Sequence, residues 1–144
     1  MNAVDLGRFG LFAELSQAEL AQLAALLEEQ SLETGDVLCM EGSEADGAIL
    51  LSEGALDCAR EQAGEIGRVE APAVLGLASL ALVGNREVSL RASQPSRVLL
   101  LTREAFHRFA QDASPAAVRV LEGIVRELGT VMRSGIDVLT PPRG

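Results

Sequence analysis

Short strand-like segments separated by turns fill the middle of the chain, and this alternation constrains the fold more than any other feature. Four turns carry a glycine, at Gly35-Asp36, Glu41-Gly42, Glu53-Gly54 and Ala63-Gly64. The third predicts a two-residue hairpin. Strands are predicted over residues 37–40, 48–51, 55–60, 65–69, 87–92 and 98–101. Short strands at a spacing of about 8–12 residues are typical of an antiparallel sandwich or barrel, which we expect over residues 30–102.

A helix is predicted ahead of the strands. Ser16 and Glu19 have the spacing of a capping box, in which each side chain bonds the backbone N–H of the other residue. Apolar residues then recur at helical spacing, at Leu20, Leu23, Ala24 and Leu27. We therefore expect an amphipathic helix over residues 17–28, with its apolar face packed on the strands.

Two helices are predicted after the strands. Thr102 can accept a hydrogen bond at the start of a helix over residues 103–111. Ser114 followed by a proline is typical of a second helix start, with the serine as the N-cap. This longer helix is expected to run to about Ser134 and to end near Gly135.

One face of the last helix has the spacing of a coiled-coil seam. Its members follow one another at alternating steps of three and four residues: Val118, Leu121, Val125, Leu128 and Met132. A second apolar line beside this seam consists of Val120, Ile124 and Val131. If one line packs on the strands, the other needs a partner, so we predict a homodimer through this helix. The alternative is one wide apolar face that lies wholly on its own domain.

Composition restricts the partners. A chain of 144 residues with 48% apolar residues fits one globular domain. Its net charge of −9 repels a nucleic-acid backbone, and with four Phe and neither Trp nor Tyr it has few rings for base stacking. The longest apolar run, residues 71–83, is shorter than the roughly 20 residues of a membrane span, and the first residues lack the pattern of a signal peptide. We expect neither a nucleic-acid nor a membrane partner.

Few residues could carry chemistry. Cys39 and Cys58 are the two cysteines and lie in predicted strands, which favours free thiols in a reducing cytoplasm. His107, the single histidine, lies on a predicted helix and is expected at the surface. We find no catalytic constellation and no set of metal ligands, so we predict a protein that is not an enzyme and has no metal site.

The stretch from residue 74 to 92 has the features of an anion site. Gly76 precedes a short helical turn, and a glycine there lets a ligand approach backbone N–H groups at a positive helix end. Arg86 follows ten residues later and can form paired hydrogen bonds to the same anion. The candidate ligand-binding residues are Leu75, Gly76, Leu77, Ala78, Ser79, Arg86, Glu87 and Val88.

This stretch resembles the phosphate-binding cassette of cyclic nucleotide-binding domains, as in catabolite activator proteins and the regulatory subunits of cAMP-dependent kinase. Leu75-Gly76 matches the opening of the cassette, Ser79-Leu80 its helical turn and Arg86 its phosphate-binding arginine. The family's turn glycines also occur in order, at Gly35, Gly42, Gly54 and Gly76. The resemblance implies a mainly β fold, an antiparallel double-stranded β-helix or jelly-roll sandwich. It further implies a flanking N-terminal helix and a long C-terminal helix through which catabolite-activator-like proteins dimerise.

On this basis residues 1–144 form a single sensor domain. Residues 1–29 are its N-terminal helical segment, 30–102 the sandwich with the cassette at 74–92, 103–135 the C-terminal helices and 136–144 a tail. Transcription factors of the family carry a helix-turn-helix after the long helix, and this tail is too short for one. We therefore expect no DNA-binding domain.

Two residues depart from the cassette. Leu77 occupies the position of a glutamate that binds the ribose hydroxyl, a charge-assisted hydrogen bond of about 1.5–3 kcal/mol. Glu87 occupies the position of a serine or threonine that faces the phosphate. A carboxylate about 5 Å from the phosphate would repel it by roughly 3 kcal/mol at an effective dielectric constant of about 20, whereas an outward-pointing one would not. Together the changes predict weak or absent binding of cAMP and cGMP, so no cofactor is assigned.

We interpret the chain as a regulatory or sensor module that binds a small-molecule effector or a protein partner, with weakened or lost binding of cAMP and cGMP. Two alternatives stay open. One is a functional cyclic nucleotide-binding protein with a non-standard cassette, and the other is a dimeric adaptor that binds no ligand.

Overall fold

Two four-stranded antiparallel sheets lie face to face in the structure, a computed structural model that describes residues 6–80 and 83–139 and, for residues 130–139, the backbone alone. The strands in these residues are β1 Glu28–Leu32, β2 Val37–Cys39, β3 Glu44–Ala45, β4 Gly47–Glu53, β5 Ala55–Arg60, β6 Gly64–Glu70, β7 Ala73–Leu75, β8 Gly84–Asn85, β9 Ser89–Ala92 and β10 Ser96–Thr102. The helices are α1 Gln17–Ala24, α2 Arg103–Asp112 and α3 Ser114–Leu139, with 3₁₀ turns at Gly10–Phe12 and Leu77–Leu80.

The strand order identifies the architecture. The first sheet has the order β1-β10-β4-β7, the second has the order β2-β9-β5-β6, and β3 and β8 form a separate antiparallel pair. Strands that follow one another in the chain mostly lie in different sheets, which is the arrangement of a jelly roll rather than of a meander. The predicted jelly-roll sandwich, with a helix before it and a long helix after it, is therefore confirmed.

Strand β4 lies at the centre of the molecule because it is buried on both faces. Side chains alternate along a strand, so Ala48 and Leu50 face the helices while Ile49 and Leu51 face the second sheet. All four are at most 2% exposed. The strand also pairs with β10 along one edge and β7 along the other. The helix-side core and the inter-sheet core thus meet at this strand.

The predicted hairpin at Glu53-Gly54 is wrong. Strand β4 ends at Glu53 and β5 begins at Ala55, but the two strands belong to different sheets. Gly54 has φ +94°, and a Cβ there would contact Ser96 Oγ and lie 2.6 Å from Pro95 O. The buried Ser96 hydroxyl also accepts a hydrogen bond from the Ala55 N–H at 3.1 Å. These contacts hold the chain where it crosses from the first sheet to the second.

Gly54→Ala is expected to lower the free energy of unfolding by about 2–5 kcal/mol. The methyl group adds about 1–2 kcal/mol of left-handed backbone strain and about 1–3 kcal/mol of overpacking against the neighbouring strand. Gly64→Ala is the matched control, because Gly64 has φ +70° and no atom lies within 4 Å of the added methyl group. That control should lose only the strain contribution. Urea denaturation measures both losses, and equal values would contradict the packing argument.

Helix α1 begins as predicted but ends earlier. Ser16 Oγ accepts a hydrogen bond from the Glu19 N–H at 3.2 Å, and Glu19 Oε1 accepts one from the Ser16 N–H at 2.8 Å. The capping box is therefore confirmed. The helix ends at Ala24 instead of residue 28, because Glu28–Leu32 pairs with β10 as strand β1. The sandwich thus begins at Glu28, ahead of the expected boundary at residue 30.

Glu19 also connects α1 to α3. Its carboxylate accepts a hydrogen bond from Arg119 Nη2 at 2.6 Å. The Ser16 backbone N–H and then the Arg119 guanidinium hold the pKa of the Glu19 carboxyl below its ordinary value of 4.5. The glutamate of the α1 capping box therefore also fixes the last helix in place.

This lowered pKa predicts a pH-dependent part of the stability. A carboxylate with a depressed folded-state pKa stabilises the fold above its unfolded value, and the contribution is lost as the pH falls through the lower folded value. Glu19→Gln should therefore be less stable than the wild type at neutral pH, and the difference should close as the pH falls below 4.5. Urea midpoints at several pH values measure the difference.

The control is Glu104→Gln, whose carboxylate forms an exposed helical pair with Arg108 at 3.4 Å. An exposed pair of this kind contributes little, so the control should stay close to the wild type. A deficit in Glu19→Gln that is the same at every pH would contradict the assignment.

Helices α2 and α3 differ in how well their ends were predicted. Thr102 caps α2 as expected, with its Oγ1 accepting a backbone N–H hydrogen bond at 3.0 Å. Ser114 is not the predicted N-cap, because its hydroxyl donates to Ala110 O at 2.9 Å and the residue is already helical. Helix α3 also continues to Leu139, past the predicted end at Gly135. A glycine in a long helix costs only about 1 kcal/mol, so it need not end one.

Helix α3 packs on its own domain along the second apolar line. Val120 is fully buried and Ile124 is 7% exposed. Gly123 lies between them in sequence, and a Cβ there would lie 2.9 Å from Leu11 Cδ1, so the helix approaches the Gly10–Phe12 turn closely. Val131, the third member of this line, lies outside the residues whose side chains are described.

Candidate functional site

The cassette-like stretch begins where β7 ends. Gly76 follows Leu75 with φ +71°, a conformation that favours glycine, and the 3₁₀ turn Leu77–Leu80 comes next. The Ser79 N–H donates to Gly76 O at 3.0 Å and closes the turn. Residues 81 and 82 lie outside the described part of the chain, and β8 then leads to Arg86.

A cavity of about 310 Å³, called here the cassette cavity, lies beside this turn. All eight candidate residues border it: Leu75, Gly76, Leu77, Ala78, Ser79, Arg86, Glu87 and Val88. Six more residues complete its described border: Cys39, Ala45, Ile49, Asn85, Leu90 and Leu128. The volume is near the lower end of the range of about 300–1,000 Å³ that is typical of ligand pockets. The structure thus brings the predicted residues together around one space.

Arg86 places a cationic side chain in the cavity wall. Its backbone is held on both sides, because its N–H donates to Ser43 O at 2.7 Å and its carbonyl accepts from the Gly42 N–H at 2.8 Å. The side chain is 13% exposed, and a Cβ at Gly76 would lie 2.6 Å from Nη1. Glycine at this position therefore lets the guanidinium lie against the turn. Asp46 Oδ1 is 3.9 Å from Nη2, which is longer than a hydrogen bond.

Glu87 turns its carboxylate away from Arg86. Its side chain is 86% exposed, and Oε2 lies 4.0 Å from Nη2 of Arg60 on β5. Of the two orientations that the sequence allowed, the structure has the outward one. Most of the roughly 3 kcal/mol of repulsion expected from an inward carboxylate is therefore absent.

Leu77 gives the cavity an apolar wall. It is half-buried, borders the cavity and packs against the helix-side core. Further apolar side chains come from β4, β9 and α3, namely Ile49, Leu90 and Leu128. A ligand hydroxyl placed beside Leu77 would find no hydrogen-bonding group on that side chain, which disfavours a polar ligand there.

Arg103 holds the cavity wall together, and the sequence analysis did not identify it. Its Nε donates to Ser79 O at 3.0 Å and its Nη2 donates to Ala45 O at 2.9 Å. One side chain thus joins the 3₁₀ turn to β3, and both carbonyls belong to residues that border the cavity. The signal in the sequence is slight, because an arginine after a helix cap does not show which carbonyls it will reach.

A second cavity, of about 390 Å³, adjoins the first at Arg86, which borders both. Three carboxylates border this second cavity, those of Glu28, Glu44 and Asp46. Arg86 faces three carboxylates at the second cavity, whereas at the described border of the cassette cavity the one carboxylate, that of Glu87, points outward. The second cavity therefore disfavours anions more than the cassette cavity does.

The seam predicted on the last helix is exposed. Val118, Leu121, Val125 and Leu128 are 52%, 44%, 68% and 40% exposed, while Met132 lies outside the residues whose side chains are described. A row of exposed apolar side chains on one helix face is typical of an interaction surface. Leu128 also borders the cassette cavity, so the exposed face and the cavity meet at this residue.

The two cysteines are free and half-buried, on β2 and β5. Cys39 and Cys58 each lie opposite Leu90 of β9, so two strand spacings of about 4.8 Å separate them, which is too far for a disulfide. Burial raises the pKa of both thiols, and a raised pKa makes a thiol a weak nucleophile at neutral pH. His107 is exposed on α2, as expected.

The described part of the chain contains neither a group of metal ligands nor a membrane-spanning helix. Among the side chains of residues 6–80 and 83–129, no three of His, Cys, Asp or Glu are grouped so that they could hold a metal ion. No helix in residues 6–80 and 83–139 combines the length and apolar character needed to cross a membrane.

The chain matches the profile of a known protein family. The profile of a family described as "Cyclic nucleotide-binding domain" matches residues 29–113, which is more than half of the chain. No curated protein matches the chain significantly.

Solved structures share the fold over most of the chain. The N-terminal domain of a transcriptional regulator from Streptomyces coelicolor A3(2) is 25% identical with a TM-score of 0.79, over 95% of this chain and 96% of that one. A cyclic nucleotide-binding-like protein from Brucella abortus is 26% identical with a TM-score of 0.66, over 76% and 97%. The catabolite activator protein of Thermus thermophilus is 18% identical with a TM-score of 0.76, over 91% of this chain and 63% of that one. The last likeness concerns the fold alone.

Proposed function

The chain belongs to the cyclic nucleotide-binding domain family, and from this membership we propose a regulatory or sensor domain that binds a small anion but binds cAMP and cGMP weakly or not at all. One observation carries the proposal. Arg86 lies in the wall of the cassette cavity against Gly76, while Leu77 occupies the position where the resemblance places the ribose-binding glutamate. The arginine that could bind an anion is present, whereas the glutamate that would bind the ribose hydroxyl is replaced by a leucine.

The size of the loss follows from the chemistry of that contact. A hydrogen bond between a carboxylate and a hydroxyl contributes about 1.5–3 kcal/mol, which corresponds to about 10–150-fold in affinity. Because the Glu87 carboxylate points outward, it adds little repulsion to this loss. We therefore attribute the weak nucleotide binding mainly to Leu77.

A thermal-shift measurement with cAMP and cGMP tests this proposal. At a ligand concentration about 100 times the dissociation constant, a tight ligand stabilises the folded state by about 2.7 kcal/mol. For a chain of this length that is a shift in Tm of several degrees. We expect less than about 1 °C at roughly 0.1 mM of either nucleotide. A shift of several degrees that disappears in Arg86→Gln would refute the proposed loss of binding.

We also propose that a second copy of the chain covers the seam of α3. The support is that the two apolar faces of this helix have different surroundings. Val120 and Ile124 are buried on their own domain, while the seam side chains are 40–68% exposed. Pairing two copies through one helix face would bury both seams by the same contacts, which is the usual geometry of a two-fold dimer.

Binding without catalysis fits the family, whose domains are typically regulatory. The two free cysteines support a location in a reducing compartment such as the cytoplasm.

A further inference from the structure

We propose that the ligand of the cassette cavity is a monoanion with an apolar body, such as an aliphatic monocarboxylate, rather than a nucleotide. This inference rests on the ligand-binding role proposed above and names the chemical class that the site would take. In the described chain fourteen residues border the cavity, and eight of them are Ala, Val, Leu or Ile. Arg86 is the single cation among the fourteen.

A single fixed cation, Arg86, favours a ligand that carries a single negative charge. The Arg86 guanidinium is held against Gly76, and its contact with Asp46 is too long for a hydrogen bond, so its paired donors can meet a carboxylate. A second negative charge on the ligand would lie near Asp46 in a protein of net charge −9. A carboxylate carries a single charge at neutral pH, whereas a phosphate monoester carries nearly two, so the charge argument disfavours monoesters. A cyclic phosphodiester also carries a single charge, so cyclic nucleotides are disfavoured instead by the apolar wall at Leu77.

The rest of the cavity favours hydrocarbon. Leu77, Val88 and Leu128 border it from the 3₁₀ turn, the cassette loop and α3. An apolar wall stabilises each methylene group that it removes from water, by about three- to fourfold in affinity. The same wall disfavours a hydroxyl that it cannot hydrogen-bond. The volume of about 310 Å³ limits the body to a small one.

The neighbouring cavity does not compete for such a ligand. Arg86 borders it too, but so do the carboxylates of Glu28, Glu44 and Asp46, and three negative charges outweigh one positive charge and repel an anion. The charged head is therefore assigned to Arg86, with the apolar body extending into the cassette cavity.

Calorimetric titration of the full chain with butanoate, hexanoate and octanoate tests the inference, with octan-1-ol as the uncharged match to octanoate. Affinity should rise about three- to fourfold per methylene group until the cavity is filled. The alcohol should bind at least about tenfold more weakly than octanoate, because it cannot form the charge-assisted bonds to Arg86. This comparison uses the wild type and needs no variant.

Two variants test whether the carboxylate of the ligand binds Arg86. Arg86→Gln should weaken octanoate binding by about tenfold or more. Arg68→Gln is the matched control, since Arg68 is 55% exposed, pairs with Asp57 at 2.9 Å and does not border the cavity. It should bind octanoate as the wild type does. Thermal unfolding without ligand shows that both variants are folded.

The outcomes separate this inference from the function on which it rests. Equal binding of octanoate and octan-1-ol, or of octanoate by the wild type and Arg86→Gln, would overturn the inference. Arg86-dependent binding of acetate or inorganic phosphate with no gain from a longer body would overturn the inference alone. Tighter binding of cAMP than of octanoate would overturn it together with the proposed loss of nucleotide binding. If no compound in the series binds, both the inference and the ligand-binding role fail, and the dimeric adaptor remains.

Discussion

Replacing Val125 by glutamate is expected to turn the proposed dimer into a monomer. Val125 is the most exposed member of the described seam, at 68%, so the substitution leaves the packing of its own domain unchanged. In a two-fold dimer the change occurs in both copies, and it places two carboxylates in one apolar interface. Like charges brought together in an interface cost several kcal/mol. The dimer dissociation constant should therefore rise by at least about 100-fold.

Sedimentation velocity over a range of protein concentrations measures this change against the 15.1 kDa mass of the monomer. Gln111→Glu is the matched control, because it makes the same change in charge at an exposed position of α2 that is not part of the seam. It should sediment as the wild type does. A wild type that is monomeric at every concentration would contradict the proposed dimer. If the Val125→Glu variant is still dimeric, the interface does not lie on the seam.

Replacing Leu77 by glutamate is expected to raise the affinity for cAMP by about 10–150-fold. The new carboxylate would stand where the family binds the ribose hydroxyl, beside the Arg86 that is already in the wall. Leu77 is half-buried at the cavity border, so the substitution changes the wall without entering the inter-sheet core. Octanoate should bind this variant more weakly, because the apolar wall is lost and a second carboxylate now faces its charge.

Two comparisons identify the contact responsible. Cyclic 2′-deoxy-AMP lacks the ribose hydroxyl, so its affinity should not gain from Leu77→Glu. Leu77→Gln has nearly the same shape as Leu77→Glu without the charge, and it should recover only part of the gain, since a neutral hydrogen bond contributes about half as much. An equal gain for cAMP and its deoxy analogue would contradict the role given to residue 77.

Local chemistry predicted the starts of helices better than their ends. The capping box of Ser16 and Glu19 and the cap at Thr102 involve residues three apart, so the sequence contains the whole interaction. The end of α1 depends instead on the pairing of β1 with β10, a strand that comes much later in the chain. Gly54 shows the same limit, because a glycine with positive φ predicts a turn but not which sheet receives the next strand.

The cassette cavity was predictable only in part, because some of its border comes from distant parts of the chain. Its eight predicted residues lie in one stretch of chain, and a resemblance in that stretch was enough to name them. Cys39, Ile49 and Leu128 come from β2, β4 and α3, which only the fold brings to the same place. Strand alternation left the direction of Glu87 open, and the structure shows its carboxylate exposed to solvent, 4.0 Å from Arg60 of β5.

Strand β4 has a consequence for how the protein exchanges hydrogen with solvent. It is covered on both faces and paired along both edges, so its amide protons reach water only when the helices, the second sheet and two neighbouring strands separate together. Deuterium uptake by these amides therefore reports the opening of the whole molecule, whereas uptake at exposed turns reports local fluctuations.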